Sequence, residues 1–200
     1  MVAPVGGQRP SPTPRGEARE RILDAAFRLF YAHGVRGVGV DTIIAASGVA
    51  KATFYRHFPS KDDLAVAYLD RVDELWRGQL RDAAEAAGPD PRAALVGMFD
   101  ALLTVCKQDD FHGCAFINTA AESAPGSPVH ARTVRHKAEV RAWVGDIAVR
   151  AGARDPAALA RALTLLLDGA LAEGVLDGDP VAALTAKAAA TALVERHCPA

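Results

Sequence analysis

The stretch VDTIIAASGVAKATFYRHFPSKDDL, residues 40–64, decides the fold. It contains two segments of helical composition separated by Gly48, and glycine commonly ends a helix. Val40, Ile43 and Val49 are spaced so that both segments can share one core. Two short helices around a tight turn form a helix-turn-helix, whose second helix can enter the major groove of DNA. The same pattern also occurs in ordinary helical bundles, so that alternative stays open at this point.

The chain as a whole is predicted to be all-α. Of its 200 residues 42 are Ala and 5 are Ile, which favours helices because Ala is the best helix former and β-branched residues prefer strands. Apolar residues recur at helical spacing, and no segment has the two-residue alternation of a strand. About nine helices are expected, near residues 17–33, 40–47, 50–57, 61–87, 95–106, 114–121, 140–151, 156–177 and 181–197.

Charge is distributed unevenly along the chain. Residues 1–61 carry nine Lys or Arg against four acidic residues, a net charge of +5. Residues 62–200 carry 14 basic and 20 acidic residues, a net charge of −6. A basic first third on an acidic body indicates that one end meets a polyanion, although chance clustering on a solvated surface would produce the same pattern.

Composition and local sequence exclude several classes of protein. No apolar run approaches the roughly 18 residues that a membrane-spanning helix needs, so no membrane partner is expected. Residues 1–16 contain four prolines and no apolar core, which predicts a disordered arm rather than a secretory signal, and a cytoplasmic protein. Cys106, Cys114 and Cys198 form no CxxC pair, so no disulfide scaffold, metal site or cofactor is predicted.

The segment TFYRHFPSKDDL, residues 53–64, resembles the signature of the TetR family of transcriptional regulators. In that family an aromatic-rich recognition helix leads into a Ser-Lys-acidic-acidic-Leu start of the next helix. LFYAHGV, residues 29–35, is similar to the family's close of its first helix, and LLLDGA, residues 165–170, is similar to part of its C-terminal domain. The motif resemblance covers about residues 19–68. The chain departs from the family pattern at Gly39, Ile44, Ala50 and Ala52, positions that bear on the base contacts rather than on the fold.

The resemblance implies a TetR-like organisation in which residues 17–62 form a helix-turn-helix DNA-binding domain and residues 63–200 form a ligand-binding and dimerisation domain. Lys61 suits a phosphate contact, since a helix N-terminus and an ammonium can hold one phosphate together. Lys or Arg side chains can reach guanine edges, and Ala a thymine methyl. The implied DNA contacts are Arg36, Ala50, Lys51, Ala52, Thr53, Tyr55, Arg56, His57 and Lys61, with Arg15 and Arg19 as further candidates.

The resemblance also implies a small-molecule pocket among the middle helices. Asn118, the only Asn in the chain, stands in an apolar run and must be hydrogen-bonded either to backbone or to a ligand. The composition suits a mainly apolar or aromatic effector with one or two polar groups, although each wall residue could equally be plain core. The candidate wall residues are Met98, Phe99, Leu102, Cys106, Phe111, Cys114, Ile117, Asn118, Trp143 and Asp168, with Phe116, Glu122 and His136 as further lining.

These inferences predict a ligand-responsive regulator, most simply a repressor that the effector releases from a pseudo-palindromic double-stranded DNA operator. The Ala- and Leu-rich last two helices, including Leu163 and Leu167, are expected to pair in a homodimer or, alternatively, to form internal core. Oxidation of a cysteine is the alternative trigger. The rival class is an enzyme or a binding protein with no DNA role. No enzymatic activity is predicted, because the sequence lacks H-E-x-x-H, G-x-S-x-G and P-loop motifs.

Overall fold

The computed structural model describes residues 14–178 and 180–199, and all regular secondary structure within these ranges is α-helical. The helices are α1 (Pro14–His33), α2 (Val40–Ser47), α3 (Lys51–His57), α4 (Lys61–Ala86), α5 (Pro91–Gly97), α6 (Asp100–Val105), α7 (Ala115–Glu122), α8 (Pro128–Arg150), α9 (Pro156–Asp177) and α10 (Val181–His197).

The helix boundaries agree closely with the sequence analysis. α2, α9 and α10 span the predicted residues, whereas α8 begins well before the predicted residue 140. α1 begins at Pro14, so residues 14–16 are helical rather than part of the predicted disordered arm, whose residues 1–13 lie outside the described range. Met98 and Phe99 divide the predicted helix 95–106 into α5 and α6, so the nine expected helices become ten when these two are counted separately.

Local sequence explains how α3 is placed between its neighbours. Gly48 adopts left-handed backbone with φ of 65°, and its N–H donates to the carbonyls of Ala45 and Ile44, which ends α2. At the start of α4 the Ser60 hydroxyl accepts a hydrogen bond from the Asp63 amide at 3.1 Å. Asp63 Oδ2 in turn accepts one from the Ser60 amide at 3.0 Å. This reciprocal capping box makes Ser60 the N-cap of α4.

Residues 14–72 and 115–134 form one compact unit. Tyr68 is buried in this unit. Its ring packs edge-on against the rings of Phe27 and Phe30, with centroid distances of 5.7 and 5.5 Å. Arg132, near the start of α8, is 5% exposed and forms an ion pair with Asp70 of α4 at 2.6 Å. The unit therefore combines α1–α3 and the start of α4 with α7 and the start of α8. Further buried side chains are those of Ile22, Ile43, Phe54, Leu64 and Leu69.

Residues 73–114, 135–178 and 180–199 belong to the second compact unit, whose core is built from the remainder of α4 and α8 together with α5, α6, α9 and α10. α9 and α10 pack against each other. Leu163 and Leu167 are 0% and 3% exposed inside this core, so the expectation that they face a second subunit is wrong. The predicted functional division at residues 62 and 63 stays a prediction, since the packing units divide α4 after residue 72.

Candidate DNA interface and ligand cavity

α3 turns Phe54 inward, whereas Tyr55 and small or cationic side chains face outward. Phe54 is fully buried and Phe58 is 3% exposed, so both are core residues. Tyr55 is 44% exposed and lies edge-on to Phe54, with ring centroids 5.3 Å apart, which holds its ring at the surface. A helix face with a small residue beside cations can approach base edges closely. The exposed members of the predicted contact set are Arg36, Ala50, Lys51, Ala52, Tyr55 and Arg56.

Two predicted contacts on α3 are less accessible. Thr53 and His57 are half-buried. The Nε2 atom of His57 is buried and has no hydrogen-bond partner among the described residues. Because this nitrogen is withdrawn from the surface, His57 is a weaker candidate for a DNA contact than its place in the sequence suggests.

Lys51 is engaged by a residue that sequence reasoning missed. Its Nζ lies 3.1 Å from Oδ1 of Asp41, in the first turn of α2. The hydrogen bond and the charge of Asp41 raise the pKa of Lys51 above its usual value. Asp41 was recognisable only as the single carboxylate in the otherwise apolar or neutral α2 sequence, with nothing to indicate its partner. Lys51, which the sequence predicts to contact DNA, therefore forms an ion pair with Asp41 in this structure.

Lys61 and Arg36, both predicted phosphate contacts, meet at the turn between α1 and α2. Lys61 Nζ donates a hydrogen bond to the Arg36 carbonyl at 3.4 Å. The Arg36 amide donates to Oε2 of Glu122 at 2.8 Å. Glu122, at the end of α7, therefore contacts the turn that precedes the helix-turn-helix, which corrects its expected place in a ligand pocket. No sequence signal indicated this contact, because the two residues are 86 positions apart.

Arg19 stays close to the helix-turn-helix. It is exposed on α1, and its guanidinium carbon lies 5.3 Å from the centroid of the Phe58 ring. This position keeps a cation beside the end of α3. The predicted contact by the Arg15 side chain lies outside the described part of the structure.

A small cavity lies in the second compact unit, lined by residues of α4, α8 and α9. Its open space is about 20 Å³, room for about one water molecule, whereas ligand pockets typically measure about 300–1,000 Å³. Side chains must therefore move before a sizeable molecule can enter. The lining residues are Trp76, His136, Lys137, Val140, Arg141, Thr164, Leu167, Asp168 and Leu171.

Paired polar groups line one side of this cavity. Lys137 forms an ion pair with Asp168, and its Nζ also lies 3.5 Å from Sγ of Cys114. Burial of Lys137 lowers its pKa, but the interactions with Cys114 and Asp168 raise the pKa by more than burial lowers it. The pKa of Lys137 therefore lies above its usual value. His136, 1% exposed, pairs with Asp73 at 2.5 Å through Nδ1. The apolar lining and these pairs together suit a molecule with an apolar body and a polar end.

The predicted wall residues separate into three groups. Asp168 lines the cavity, and so does His136 from the further candidates. Ile117 and Asn118 belong to the other unit and are exposed, so the expectation that Asn118 is an enclosed amide is wrong. The reason is helical periodicity, because α7 buries positions 115, 116 and 119 and turns 117 and 118 outward. The core side chains, or those packed against the core, are Met98, Phe99, Leu102, Cys106, Phe111, Cys114 and Trp143.

The three cysteines have different surroundings. Cys106 and Cys198 are buried, and burial raises the pKa of both thiols. Cys114 is half-buried and contacts the ammonium of Lys137. Among the described residues no three His, Cys, Asp or Glu side chains are grouped so that they could hold a metal ion.

The fold and the outward face of α3 define a helix-turn-helix DNA-binding protein, and comparison with known proteins gives its family. Residues 22–68 match the family model of the bacterial regulatory proteins of the tetR family. The structure is similar to a TetR-family transcriptional regulator from Streptomyces coelicolor, with 35% identity, a TM-score of 0.84 and coverage of 91% of this chain and 96% of that chain. The chain therefore belongs to the TetR family of transcriptional regulators, and residues 22–68 hold its DNA-binding helix-turn-helix.

Two of the curated relatives match less than half of this chain. The HTH-type transcriptional regulator LmrA of Bacillus subtilis (strain 168) is 42% identical over 72 residues, 36% of this chain and 38% of that protein. The HTH-type transcriptional activator FasR of Mycolicibacterium smegmatis is 38% identical over 102 residues, 48% of this chain and 46% of that protein. The chain thus spans less than half the length of these relatives. They are transcriptional regulators, in agreement with the prediction that this chain is not an enzyme. None of the helices in the described ranges is both long and apolar enough to cross a membrane.

Proposed function

We propose that the protein is a cytoplasmic repressor that binds a pseudo-palindromic DNA operator as a homodimer and leaves it when a small effector binds. The observation that carries the proposal is the outward face of α3, where Lys51, Ala52, Tyr55 and Arg56 are exposed on a helix anchored by the buried Phe54. Cations on such a face can bind phosphates and guanine edges, and a small residue permits close approach.

A dimer is supported by exposed apolar stripes on α9 and α10. A lone helix-turn-helix covers one half-site, and two must lie about 34–36 Å apart to enter successive major grooves. Leu165 and Leu176 on α9 are 73% and 77% exposed, and Val181 and Leu184 on α10 are 57% and 53% exposed. Residues 165, 169, 172 and 176 share one helical face, as do 181, 184, 188 and 192, and all eight are exposed Ala, Gly, Leu or Val residues. Such exposed apolar faces suit pairing with a second copy.

The effector is proposed to enter the cavity beside Trp76 and the Lys137–Asp168 pair. Its apolar body would lie against Trp76 and Leu171, and a polar group would compete for Lys137 or Asp168. Both Trp76 and Lys61 belong to the single helix α4. A displacement of Trp76 can therefore be transmitted along α4 to the DNA-binding segment. A coupling of about 1–3 kcal/mol would change operator affinity by about 5- to 150-fold.

Sequencing the genomic DNA fragments that the purified protein retains would test this proposal. The expected result is a common sequence with two inverted half-sites, upstream of genes whose products suggest candidate effectors. Release of that fragment by such a compound, and derepression of a reporter behind it, would support a ligand-released repressor. Retention of fragments without a common motif would refute operator binding. A reporter that falls when the protein is removed would reverse the sign to activation.

A second trigger, oxidation of a thiol, is favoured by the contact between Cys114 and Lys137. The Lys137 ammonium donates a hydrogen bond to Sγ of Cys114 at 3.5 Å, and hydrogen peroxide would transfer one oxygen to this thiol, giving a sulfenic acid and water. DNA release by peroxide that the variant Cys114→Ser lacks would select this trigger. Equal release from wild type and variant would exclude Cys114 as the sensor.

A further inference from the structure

Both backbone hydrogen-bonding groups of Arg36 contact side chains from other parts of the chain. Its N–H donates to Oε2 of Glu122 at 2.8 Å, and its carbonyl accepts from Nζ of Lys61 at 3.4 Å. Glu122 ends α7 and Lys61 begins α4, so the backbone of one residue in the α1–α2 turn links two separate helices. All three residues belong to the same compact unit.

Glu122 is fitted closely against the end of α1. Gly34, which follows α1, has φ of 75°, and a Cβ atom built on it would stand 2.2 Å from Oε1 of Glu122. The carboxylate therefore occupies space that only glycine leaves open, in a backbone conformation that glycine adopts without strain. The Gly34 amide meanwhile donates to the carbonyl of Phe30 at 3.0 Å and closes α1.

Helix electrostatics do not explain a carboxylate at this point. Glu122 is the last residue of α7 and also lies against the C-terminal end of α1. The C-terminus of a helix carries partial negative charge and disfavours an anion, here twice over. What Glu122 gains is a charge-assisted hydrogen bond from the Arg36 amide. Its role is therefore to hold the turn rather than to stabilise either helix.

We infer that Glu122 is a positioning residue for DNA binding. By fixing the Arg36 backbone it sets the direction of the Arg36 side chain and keeps the Lys61 ammonium beside the same turn. It also fastens α7 to the helix-turn-helix, so a movement of the end of α7 changes DNA affinity without any change in the residues that face DNA. The assignment of Arg36 and Lys61 as phosphate contacts rests on the proposed function, whereas the contact of Glu122 with the turn does not.

Three variants distinguish a positioning role of Glu122 from a simple effect of its negative charge on DNA binding. Glu122→Ala removes both the acceptor and the charge, and Glu122→Gln keeps an acceptor oxygen but removes the charge. Glu85→Ala is the matched control, because Glu85 is an exposed residue of α4 and its loss changes the net charge equally. The probe is a 30-base-pair duplex of mixed sequence, since phosphate contacts are independent of sequence. Binding is measured by fluorescence anisotropy and the Arg36 amide by hydrogen exchange, with thermal melting to verify folding.

Glu122→Ala is expected to accelerate exchange of the Arg36 amide about tenfold and to weaken duplex binding about two- to tenfold, the range that one lost hydrogen bond gives. The weaker duplex binding is expected even though the variant carries less negative charge, a change that by itself favours DNA binding. Glu122→Gln should keep most of the protection and bind at least as tightly as wild type. Glu85→Ala should match wild type or bind slightly more tightly.

Two results would overturn the inference. If Glu122→Ala bound DNA as tightly as Glu85→Ala, Glu122 would act through charge alone. If Arg36 exchange accelerated with unchanged affinity, the carboxylate would hold the turn without serving DNA binding. Failure of the wild-type protein to bind the duplex would instead refute the proposed phosphate contacts, while the exchange comparison would still decide whether Glu122 holds the turn.

Discussion

Lys51 of α3 and Asp41 of α2 form an ion pair across the helix-turn-helix, with 3.1 Å between Nζ and Oδ1. Their side chains are 64% and 83% exposed, so solvent screens the pair and it contributes little to folding stability. Its importance lies in recognition, because Asp41 competes with guanine edges and phosphates for the Lys51 ammonium. Asp41 is therefore expected to lower the affinity for DNA and, by competing with weak contacts, to favour correct sequences.

Replacing Asp41 with Asn should strengthen binding to mixed-sequence DNA about two- to fivefold at low salt, because Lys51 no longer has to give up a carboxylate. The gain should disappear when Lys51→Ala is added, as a double-mutant cycle measured by anisotropy would reveal. Asp82→Asn, an equal charge change at an exposed position of α4, is the control. An equal gain from Asp82→Asn would mean that net charge alone is responsible.

Lys61→Ala should weaken binding to all sequences alike, since a phosphate contact carries no sequence information. If each protomer of a dimer loses one phosphate contact, the slope of log K against log salt should become less steep by about 1.8. Tyr55→Phe removes a neutral hydroxyl and should weaken binding with little change in that slope. Salt titrations on the selected operator and on single-base variants measure both effects. Loss confined to one base pair for Lys61→Ala would assign Lys61 to base recognition instead.

Leu165→Asp and Leu184→Asp should convert a dimer into folded monomers, because both side chains are exposed within one chain and would place charges in the proposed interface. Leu167→Asp is the contrasting variant. Its side chain is 3% exposed in the internal core, so a charge there should destabilise the fold by at least about 3 kcal/mol. Light scattering gives the mass and thermal melting the stability. Dimers that persist with Asp at both 165 and 184 would move the interface away from these stripes.

The sequence predicted the helix-turn-helix in detail because its signals are local. Gly48 ends α2, and Ser60 and Asp63 cap α4 within four residues of each other, so composition and spacing were sufficient. Phe54 and Phe58 of the same segment are buried, four residues apart in the sequence. The inward and outward positions of a short helix follow directly from its period.

The ligand site was harder to predict because its signals are not local. Lys137 and Asp168 are 31 positions apart, and their pairing depends on how α8 and α9 pack. Neither Lys137 nor Trp76 stood out in the sequence. Asn118 did stand out, since it is the only Asn, but rarity gives no information about direction, and α7 turns it outward. An apolar run of eight residues can be half-exposed when it forms two turns of helix.

The three cysteines differ in accessibility and in charged neighbours. With limiting N-ethylmaleimide at pH 8, Cys114 should be labelled first, because it is half-buried and its sulfur lies 3.5 Å from the Lys137 ammonium. Burial raises the pKa of the Cys106 and Cys198 thiols, so their reactive thiolates form only at higher pH, and their labelling should be at least about tenfold slower.

Lys137→Met should slow the labelling of Cys114 and leave the labelling of Cys106 and Cys198 unchanged. Mass spectrometry of the digested protein measures the three rates together. Equal rates at the three thiols in the folded protein, or an unchanged rate at Cys114 in Lys137→Met, would remove the physical basis for a thiol trigger and leave the small-molecule effector as the proposed signal.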